Sequence, residues 1–296
     1  MMENPDNSRV NSKIKIREAD RLPSEFSKKL SVIILTWDAK EILYSCLSSL
    51  YSSLMVSEYE IIVVDNGSRD GTIAMITEDF PEIKLIKNAF NRGVAPARNQ
   101  GLQIAQGEYL LLLDVDTTVT VGAIDTLIVY LDKHPTVGLV GPKLLYPDGQ
   151  LQCSCRKFPT VWTKVLRRIP VKAVERFLVG ELYKNWDHNS VREVDYVIGA
   201  CQLIRRKAIE EVGYLDDAMF YGAEDVDYCL RLQKAGWKVI YNPRAVVIHK
   251  EQRITKKSLF SKITWKHLLS LMRYFHKHHY YLSKRKLYSQ LRRKPS

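Results

Sequence analysis

The sequence predicts an α/β fold: a mostly parallel central sheet flanked by helices, followed by a basic amphipathic helical tail. Three observations predict it. Short apolar runs, "LSVIILTW", "YEIIVVD" and "EYLLLLD", have the length and unbroken hydrophobicity of strands buried on both faces. Stretches with apolar residues at helical spacing lie between them, so strand and helix alternate as in right-handed βαβ crossovers. A chain of 296 residues with 46% hydrophobic content is long enough for one large domain with appendages, and it has no run of eighteen apolar residues to span a bilayer.

The elements follow in order. The first strand, "LSVIILTW", runs out into Asp38. "AKEILYSCLSSLYSS" places Ile42, Leu43, Cys46, Leu47 and Leu50 at helical spacing. "YEIIVVDNGSRDGT" is a strand entering a turn, and "IAMITEDF" a helix that Asp70 would cap. "IKLIKN" is a short strand, "GVAPARNQGLQIAQ" a helix with Gly101 inside it, and "EYLLLLDVD" the next strand. The order is Rossmann-like. After Asp116 the rhythm changes. "TVGAIDTLIVYLDKH" is a helix, and "VGLVGPKLLYPDGQLQ" combines strand and turn, with "YPDGQ" as the turn signal. Residues 155 to 192 are irregular apart from an amphipathic helix around "VKAVERFLVG". "VREVDYVIGACQLIRRKAIEEVG" is strand, then helix. "AEDVDYCLRLQKAG" is a helix closed by Gly236, and "WKVIYNPRAVVIHK" reads as two short strands.

Charge divides the chain. Glu251 to Ser296 holds 13 of the 45 lysines and arginines and one of the 33 acids, a net of +12. The remaining 32 bases and 32 acids cancel, which argues against a nucleic-acid-binding body and for one basic appendage with its own partner. The first thirty residues are polar and lack the apolar core of a signal peptide, so they read as a poorly ordered leader on a cytosolic protein. The expected division is leader 1–30, α/β domain 31–250 and tail 251–296. Cys46, Cys153, Cys155, Cys201 and Cys229 suit reduced thiols, and Cys153 with Cys155 is too small a set for zinc.

Open parallel sheets bind ligands beyond the carboxyl ends of their strands. Three such ends carry polar residues: Thr36 and Asp38, Asp65 and Asn66, and Asp114 and Asp116. Two carboxylates closing so apolar a strand suit a hard cation, Mg²⁺ or Mn²⁺, which in turn holds a diphosphate. The alternative for Asp114 and Asp116 is capping of the next helix, and for Asp65 plain turn chemistry.

Four stretches in order, "SVIILTWDAKEILYSCLSSL", "IIVVDNGSRDGT", "NRGVAPARNQGLQIAQGEYLLLLDVD" and "GAEDVDYCLRLQKAGWKV", resemble a family-2 glycosyltransferase of the GT-A fold. "GPKLLYPDGQLQCSCRKFPT" resembles its rhamnosyltransferase-like branch. The resemblance implies a nucleoside-diphosphate sugar donor, with Thr36 and Asp38 at the base and Asp65 at base or ribose. It puts Asn91, Arg92 and Arg98 on the diphosphate and sugar side, and makes Asp114 and Asp116 the D-x-D motif. Asp116 is then the direct metal ligand and His249 completes the site. Asp225 of "YGAEDVDYCLR", with Glu224 second, becomes the base of an inverting transfer. Trp37 departs from the Tyr or Asn usual after the threonine. On residue type alone Arg98 also fits a solvated cation, His249 a structural histidine, and Glu224, Asp225 and Asp227 helix-start acids favoured by the dipole.

Two further readings compete. "LLLLDVDTTV" also matches the opening of haloacid-dehalogenase-type phosphatases, with Asp114 as nucleophile and Asp116 as acid/base, although two βα units precede it here. A non-catalytic membrane-associated GT-A scaffold is the other. In the tail, Trp265, Leu268, Leu269, Met272 and Phe275 form one helical stripe among Lys, Arg and His. This is the pattern of a helix lying on an anionic membrane, or of one that packs on the body. Tail and family together point to a polyprenyl-linked or cell-surface glycan acceptor, at the inner face of the plasma membrane, and the branch resemblance to dTDP-L-rhamnose.

Overall fold

The computed structural model describes residues 26–166, 178–251 and 262–292. The leader up to residue 25, and residues 171–177 of the expected "VKAVERFLVG" helix, lie outside them.

The first half alternates as the sequence implies: β1 (Lys28–Thr36), α1 (Lys40–Ser53), β2 (Tyr59–Asp65), α2 (Thr72–Asp79), β3 (Lys84–Lys87), α3 (Val94–Ile104) and β4 (Gly107–Asp114). β1 opens at Lys28, inside the stretch assigned to the leader. Then come β5 (Thr117–Val119), α4 (Ala123–Lys133), β6 (Val137–Leu145), β7 (Leu151–Gln152), β8 (Cys155–Arg156) and α5 (Val161–Leu166). The last described elements are β9 (Arg192–Glu193), β10 (Tyr196–Val197), β11 (Cys201–Arg205), α6 (Arg206–Val212), α7 (Glu224–Ala235), β12 (Lys238–His249), α8 (Lys262–His278) and α9 (Arg285–Arg292).

The sheet order is β3-β2-β1-β4-β11-β6-β12-β5. β1 to β4 pair in parallel, β12 is parallel to β6, and β11 runs antiparallel between β4 and β6. Alternate residues along each strand face opposite sides, which splits the core in two. Val32, Ile34, Val63, Leu111 and Leu113 meet Leu43 and Leu47 of α1 and Leu127 of α4. Ile33, Ile62, Leu110 and Leu112 meet Ala95 and Leu102 of α3, Ile209 of α6 and Leu230 of α7. Gly101 is required by this second layer, because a Cβ there would stand 2.6 Å from Ile33 Cγ2.

Three local readings change. "WKVIYNPRAVVIHK" is one strand, β12, not two. Pro243 has no amide to donate, yet it falls where the β6 register shifts between Asn242 and Val246, so the strand bulges past it and continues. Asp70 stands one residue before the N-cap Gly71. Its Oδ1 accepts from the Thr72 amide at 3.1 Å, and its Oδ2 from Lys40 N at the start of α1, at 2.9 Å, so it ties two helix starts together. The expected tail stripe is split. Phe275 turns inward with Leu271 and Tyr274 and joins the core, whereas Trp265, Leu268, Leu269 and Met272 remain 41–60% exposed. Hence α8 packs on the body and still presents an apolar outer face. No helix among the described residues is long and apolar enough to cross a membrane.

Candidate active site

The rim at the carboxyl ends of β1, β2 and β4 collects the polar residues singled out in the sequence. Register places Thr36 opposite Asp65, and Leu35 opposite Asp114. Thr36 and Asp65 are buried, and Thr36 Oγ1 and Asp65 Oδ1 have no hydrogen-bond partner. Such orphaned atoms are costly unless a ligand's polar groups satisfy them. The other oxygen of Asp65, Oδ2, accepts from the amides of Gly67 (3.2 Å) and Ser68 (3.1 Å), so turn chemistry and an unsatisfied oxygen coexist in one side chain. Asp38 adopts a left-handed φ of 46°. Its Oδ1 accepts from Arg69 N at 2.7 Å, and its own amide donates to Ser68 Oγ at 2.9 Å. Asp38 thus locks the β1 end to the β2 turn.

Asn66 organises the next loop. Its amide group donates to Asn91 Oδ1 (3.0 Å) and Gly93 O, and its carbonyl oxygen accepts from Arg92 N (3.0 Å) and Asn88 Nδ2. Asn91 Oδ1 also accepts from Gly93 N at 2.9 Å. Asn91 therefore shapes the loop, and the Arg92 side chain stands exposed beside it. Arg98 is not a solvated cation. It is 2% exposed, its Nη2 lies 2.5 Å from Asp114 Oδ1 and donates to Gly199 O at 2.9 Å, and its Nε has no partner.

Asp114, Asp116 and His249 converge, each offering a donor atom within 4.8 Å of the others. His249 Nε2 lies 3.2 Å from Asp116 Oδ1. Its Nδ1 sits 2.7 Å from Gln152 Oε1, which fixes Nδ1 as the protonated nitrogen and leaves Nε2 toward the carboxylates. Two carboxylates and one imidazole make a set that Mn²⁺ or Mg²⁺ accepts. Burial disfavours charge on His249, but the Asp116 hydrogen bond and the fields of Asp114 and Asp116 outweigh it and raise its pKa. Burial, with Asp116 adding, also raises Asp114 against the pull of Arg98. β12 brings His249 here because its last residues pair with β5, His249 facing Thr117 just past the D-x-D.

α7 supplies the other acids. Glu224 is buried, its Oε2 has no partner, and burial followed by the adjacent Asp225 raises its pKa to about 7, with Arg98 opposing. Asp225 is half-buried, and its Oδ1 accepts from Val226 N at 2.7 Å. Gly199 lies between the two acid groups. A Cβ on it would stand 2.9 Å from Arg98 Nη1 and 3.8 Å from the Asp225 Cβ. The path Asp114–Arg98–Gly199–Asp225 thus links the D-x-D to the second acid pair. Asp227 is not part of this cluster: it faces the tail helix, bonded to Arg231, Lys277 and His278.

Gln152, Gly199 and Arg156 were not singled out as site residues. Arg156 lies on the β8–β10 ribbon opposite Tyr196. Burial opposes its charge, but Tyr196 and Asp225 raise its pKa, and its Nε has no partner. No periodicity marks any of the three. Gln152 lies on the local β6–β7 hairpin and meets His249 from 97 positions away, and Gly199 is brought in by the pairing of β11 with the distant β4.

Fold and rim together define the class: the structural neighbours are GT-A glycosyltransferases. A mannosyltransferase from Pyrobaculum calidifontis, solved with GDP-Man and Mn²⁺, aligns with a TM-score of 0.58 at 23% identity over 86% of this chain and 65% of that one. GalNAc-T7, solved with UDP, GalNAc and Mn²⁺, aligns at 0.58 and 16% identity over 86% of this chain and 55% of its own. The chain therefore spans less than two thirds of either structure. The family model for glycosyl transferase family 2 matches residues 31–213, and the chain belongs to that family. The N-acetylglucosaminyl-diphospho-decaprenol L-rhamnosyltransferase of Mycobacterium tuberculosis is 28% identical over 250 residues, 80% of this chain and 81% of the relative. The poly-beta-1,6-N-acetyl-D-glucosamine synthase of Staphylococcus epidermidis is 27% identical over 221 residues, 73% of this chain and 48% of its own. The protein is a glycosyltransferase, and its similarity includes the rhamnosyltransferase-like branch. The phosphatase and scaffold readings are set aside.

Proposed function

We propose that the chain transfers a sugar, with inversion, from a nucleoside-diphosphate sugar to a hydroxyl of a lipid-linked or cell-surface glycan. Residues 31–250 form the catalytic domain and 251–296 a membrane-facing tail. The observation that carries this reading is the joining of the Asp114–Asp116–His249 cluster to Asp225 through Arg98 and Gly199 along one rim. Thr36 and Asp65 offer unsatisfied buried oxygens to the base and ribose, with Asp38 bracing their loop. Asn91 and Arg92 lie on the diphosphate side. Arg98 orients Asp114, so Asp116 and His249 are the freer ligands. Mg²⁺ or Mn²⁺, when bound, supplies Lewis-acid neutralisation of the departing nucleoside diphosphate. Asp225 takes the proton of the acceptor hydroxyl as that oxygen attacks the anomeric carbon. The bond to the diphosphate oxygen breaks, and its electron pair leaves with the nucleotide. Glu224 is the second candidate for the base. Similarity to an N-acetylglucosaminyl-diphospho-decaprenol L-rhamnosyltransferase supports L-rhamnose as the sugar and a polyprenyl-diphosphate-linked acceptor; dTDP as the nucleotide and action at the cytoplasmic face complete the proposal.

Binding of dTDP or UDP is expected to depend on a divalent cation, because the acids at the rim repel a bare diphosphate. Titration calorimetry with and without Mn²⁺ checks this. Equal affinity in EDTA would remove the metal role.

The exposed face of α8 supports docking on an anionic bilayer. Each Lys or Arg near such a surface contributes about 1 kcal/mol, screened over a Debye length of about 8 Å at physiological ionic strength. The body already engages some of this charge: Arg273 and Lys277 pair with Asp216, and Lys284 with Glu181. The apolar outer stripe therefore has to contribute. Leu269→Ser with Met272→Ser is expected to reduce co-sedimentation with anionic vesicles at low salt without unfolding the protein, since both side chains are 59% exposed. Unchanged binding sinks the docking face.

A further inference from the structure

The acids of α7 follow a turn that the C-terminal helix holds in place. Gly222 and Ala223 both take left-handed backbone conformations, φ 72° and 74°, immediately before Glu224. Alanine has a Cβ and does not adopt this conformation freely, so the surroundings must impose it. α8 supplies those surroundings. His267 Nδ1 lies 3.3 Å from Tyr221 O, and the two rings meet edge to face with centroids 6.2 Å apart. The imidazole occupies the space a side chain on Gly222 would need, since a Cβ there would be 2.2 Å from His267 Nδ1. Lys266 Nζ caps the Phe220 ring, 3.2 Å above its centroid.

The opposite side of the turn holds the Asn91–Gly93 loop. Phe220 O accepts from Val94 N at 2.6 Å, and Gly93 approaches the Phe220 ring so closely that a Cβ would be 2.7 Å away. Just upstream, Asp217 and Leu215 bond Asn99 of α3, and Asp216 pairs with Arg273 and Lys277 of α8. One short segment, 215–223, is thus clamped between the tail helix and the helix that carries Arg98.

We infer that His267 is a positioning residue for glycosyl transfer. It holds the Phe220–Ala223 turn in its left-handed form, so that Asp225 lies against Gly199 and the Asn91–Gly93 loop keeps its place. This rests on the transferase reading above. It makes the C-terminal helix part of the catalytic body and not solely a membrane attachment. The outer stripe of the same helix is separate: Leu269 and Met272 face away from the turn.

The test uses the full chain with a water-soluble acceptor analogue, so that membrane docking does not enter. His267→Ala is expected to lower kcat about 10-fold or more at saturating donor, because misplacing a reacting group by an ångström costs that much or more. His267→Asn restores most of the loss, since its side-chain amide takes over the hydrogen bond to Tyr221 O. Leu269→Ser with Met272→Ser leaves kcat unchanged. Wild-type kcat in His267→Ala, or His267→Asn as impaired as His267→Ala, overturns the proposal. If the wild type transfers no sugar from any nucleotide donor, the transferase reading fails instead. Hydrogen exchange then decides the positioning: faster exchange at amides 221–225 in His267→Ala supports it, and unchanged exchange overturns it.

Discussion

Asp225→Asn is expected to lower turnover by about 10²–10⁴-fold, the usual contribution of a positioned general base, while binding of nucleoside diphosphate with Mn²⁺ stays near that of the wild type. The asymmetry follows from position. Asp225 sits beyond Gly199 from Arg98 and outside the Asp114–Asp116–His249 cluster, so on the proposed reading it acts on the acceptor and not on the donor. Asn keeps the shape and the acceptor oxygen that Val226 N uses at 2.7 Å, so the start of α7 should survive the change. Single-turnover transfer and calorimetry on the same preparation separate the two effects. Near-normal turnover moves the base to Glu224. Glu224 is the second choice because its side chain is buried, whereas Asp225 is half-buried and open to an acceptor.

The second large effect concerns stability. Asp227 is fully buried beneath the tail helix. Arg231 Nε and Lys277 Nζ stand 2.9 and 3.0 Å from its oxygens, and His278 Nε2 stands at 2.8 Å. Burial lowers the His278 pKa, Lys234 adds to that against the pull of Asp227, and Lys234 Nζ lies 2.9 Å from its Nδ1. The imidazole is therefore a neutral donor, and the positive charge comes from Arg231 and Lys277. Burial alone would raise the Asp227 pKa, but the His278 hydrogen bond and the two cations overcome it and bring it to about 2. Asp227→Asn leaves Arg231 without its carboxylate and Lys277 with Asp216 alone, and is expected to cost about 3 kcal/mol, near the lower end for breaking a buried pair because both cations are partly exposed. At roughly 2–4 °C per kcal/mol this lowers Tm by about 6–12 °C. The pH dependence has a definite sign. A depressed carboxyl stabilises the fold above its unfolded value near 4, and that stability is lost as pH falls through about 2. The gap between wild type and Asp227→Asn in urea denaturation should be full at pH 7 and close toward pH 2. Equal stability at pH 7, or a gap independent of pH, would rule out this latch.

The same residue shows where reading the sequence stops. Asp227 was visible as one of three acids at a helix start, yet nothing in "EDVDYCLR" says that one acid faces the site rim and another the tail. On a helix, residues two apart point to different sides, and which side meets α8 is decided by packing. Phe275 is a similar case. Helical spacing put it in the outer stripe, but it lies at the edge of that arc, and contact with the body turned it inward with Tyr274. Arg98, whose type alone suggested a solvated cation as readily as a ligand, became a buried link between Asp114 and Gly199.

By itself the sequence determined the alternation of β1 to β4 with their helices, the gathering of Thr36, Asp65 and Asp114 on one rim, and the concentration of positive charge in the tail. These follow from local quantities: apolar run length, the two periodicities, and the rule that crossovers bring parallel strand ends to one edge. Only the tertiary structure decided that β11 runs antiparallel between β4 and β6, that β12 delivers His249 to the D-x-D with Gln152 behind it, and that α8 closes over Asp227 and the Phe220–Ala223 turn. Each of these joins residues tens to more than a hundred positions apart, and their energies lie in pairings and packed surfaces formed only when distant segments meet. Spacing along the chain carries no record of such contacts.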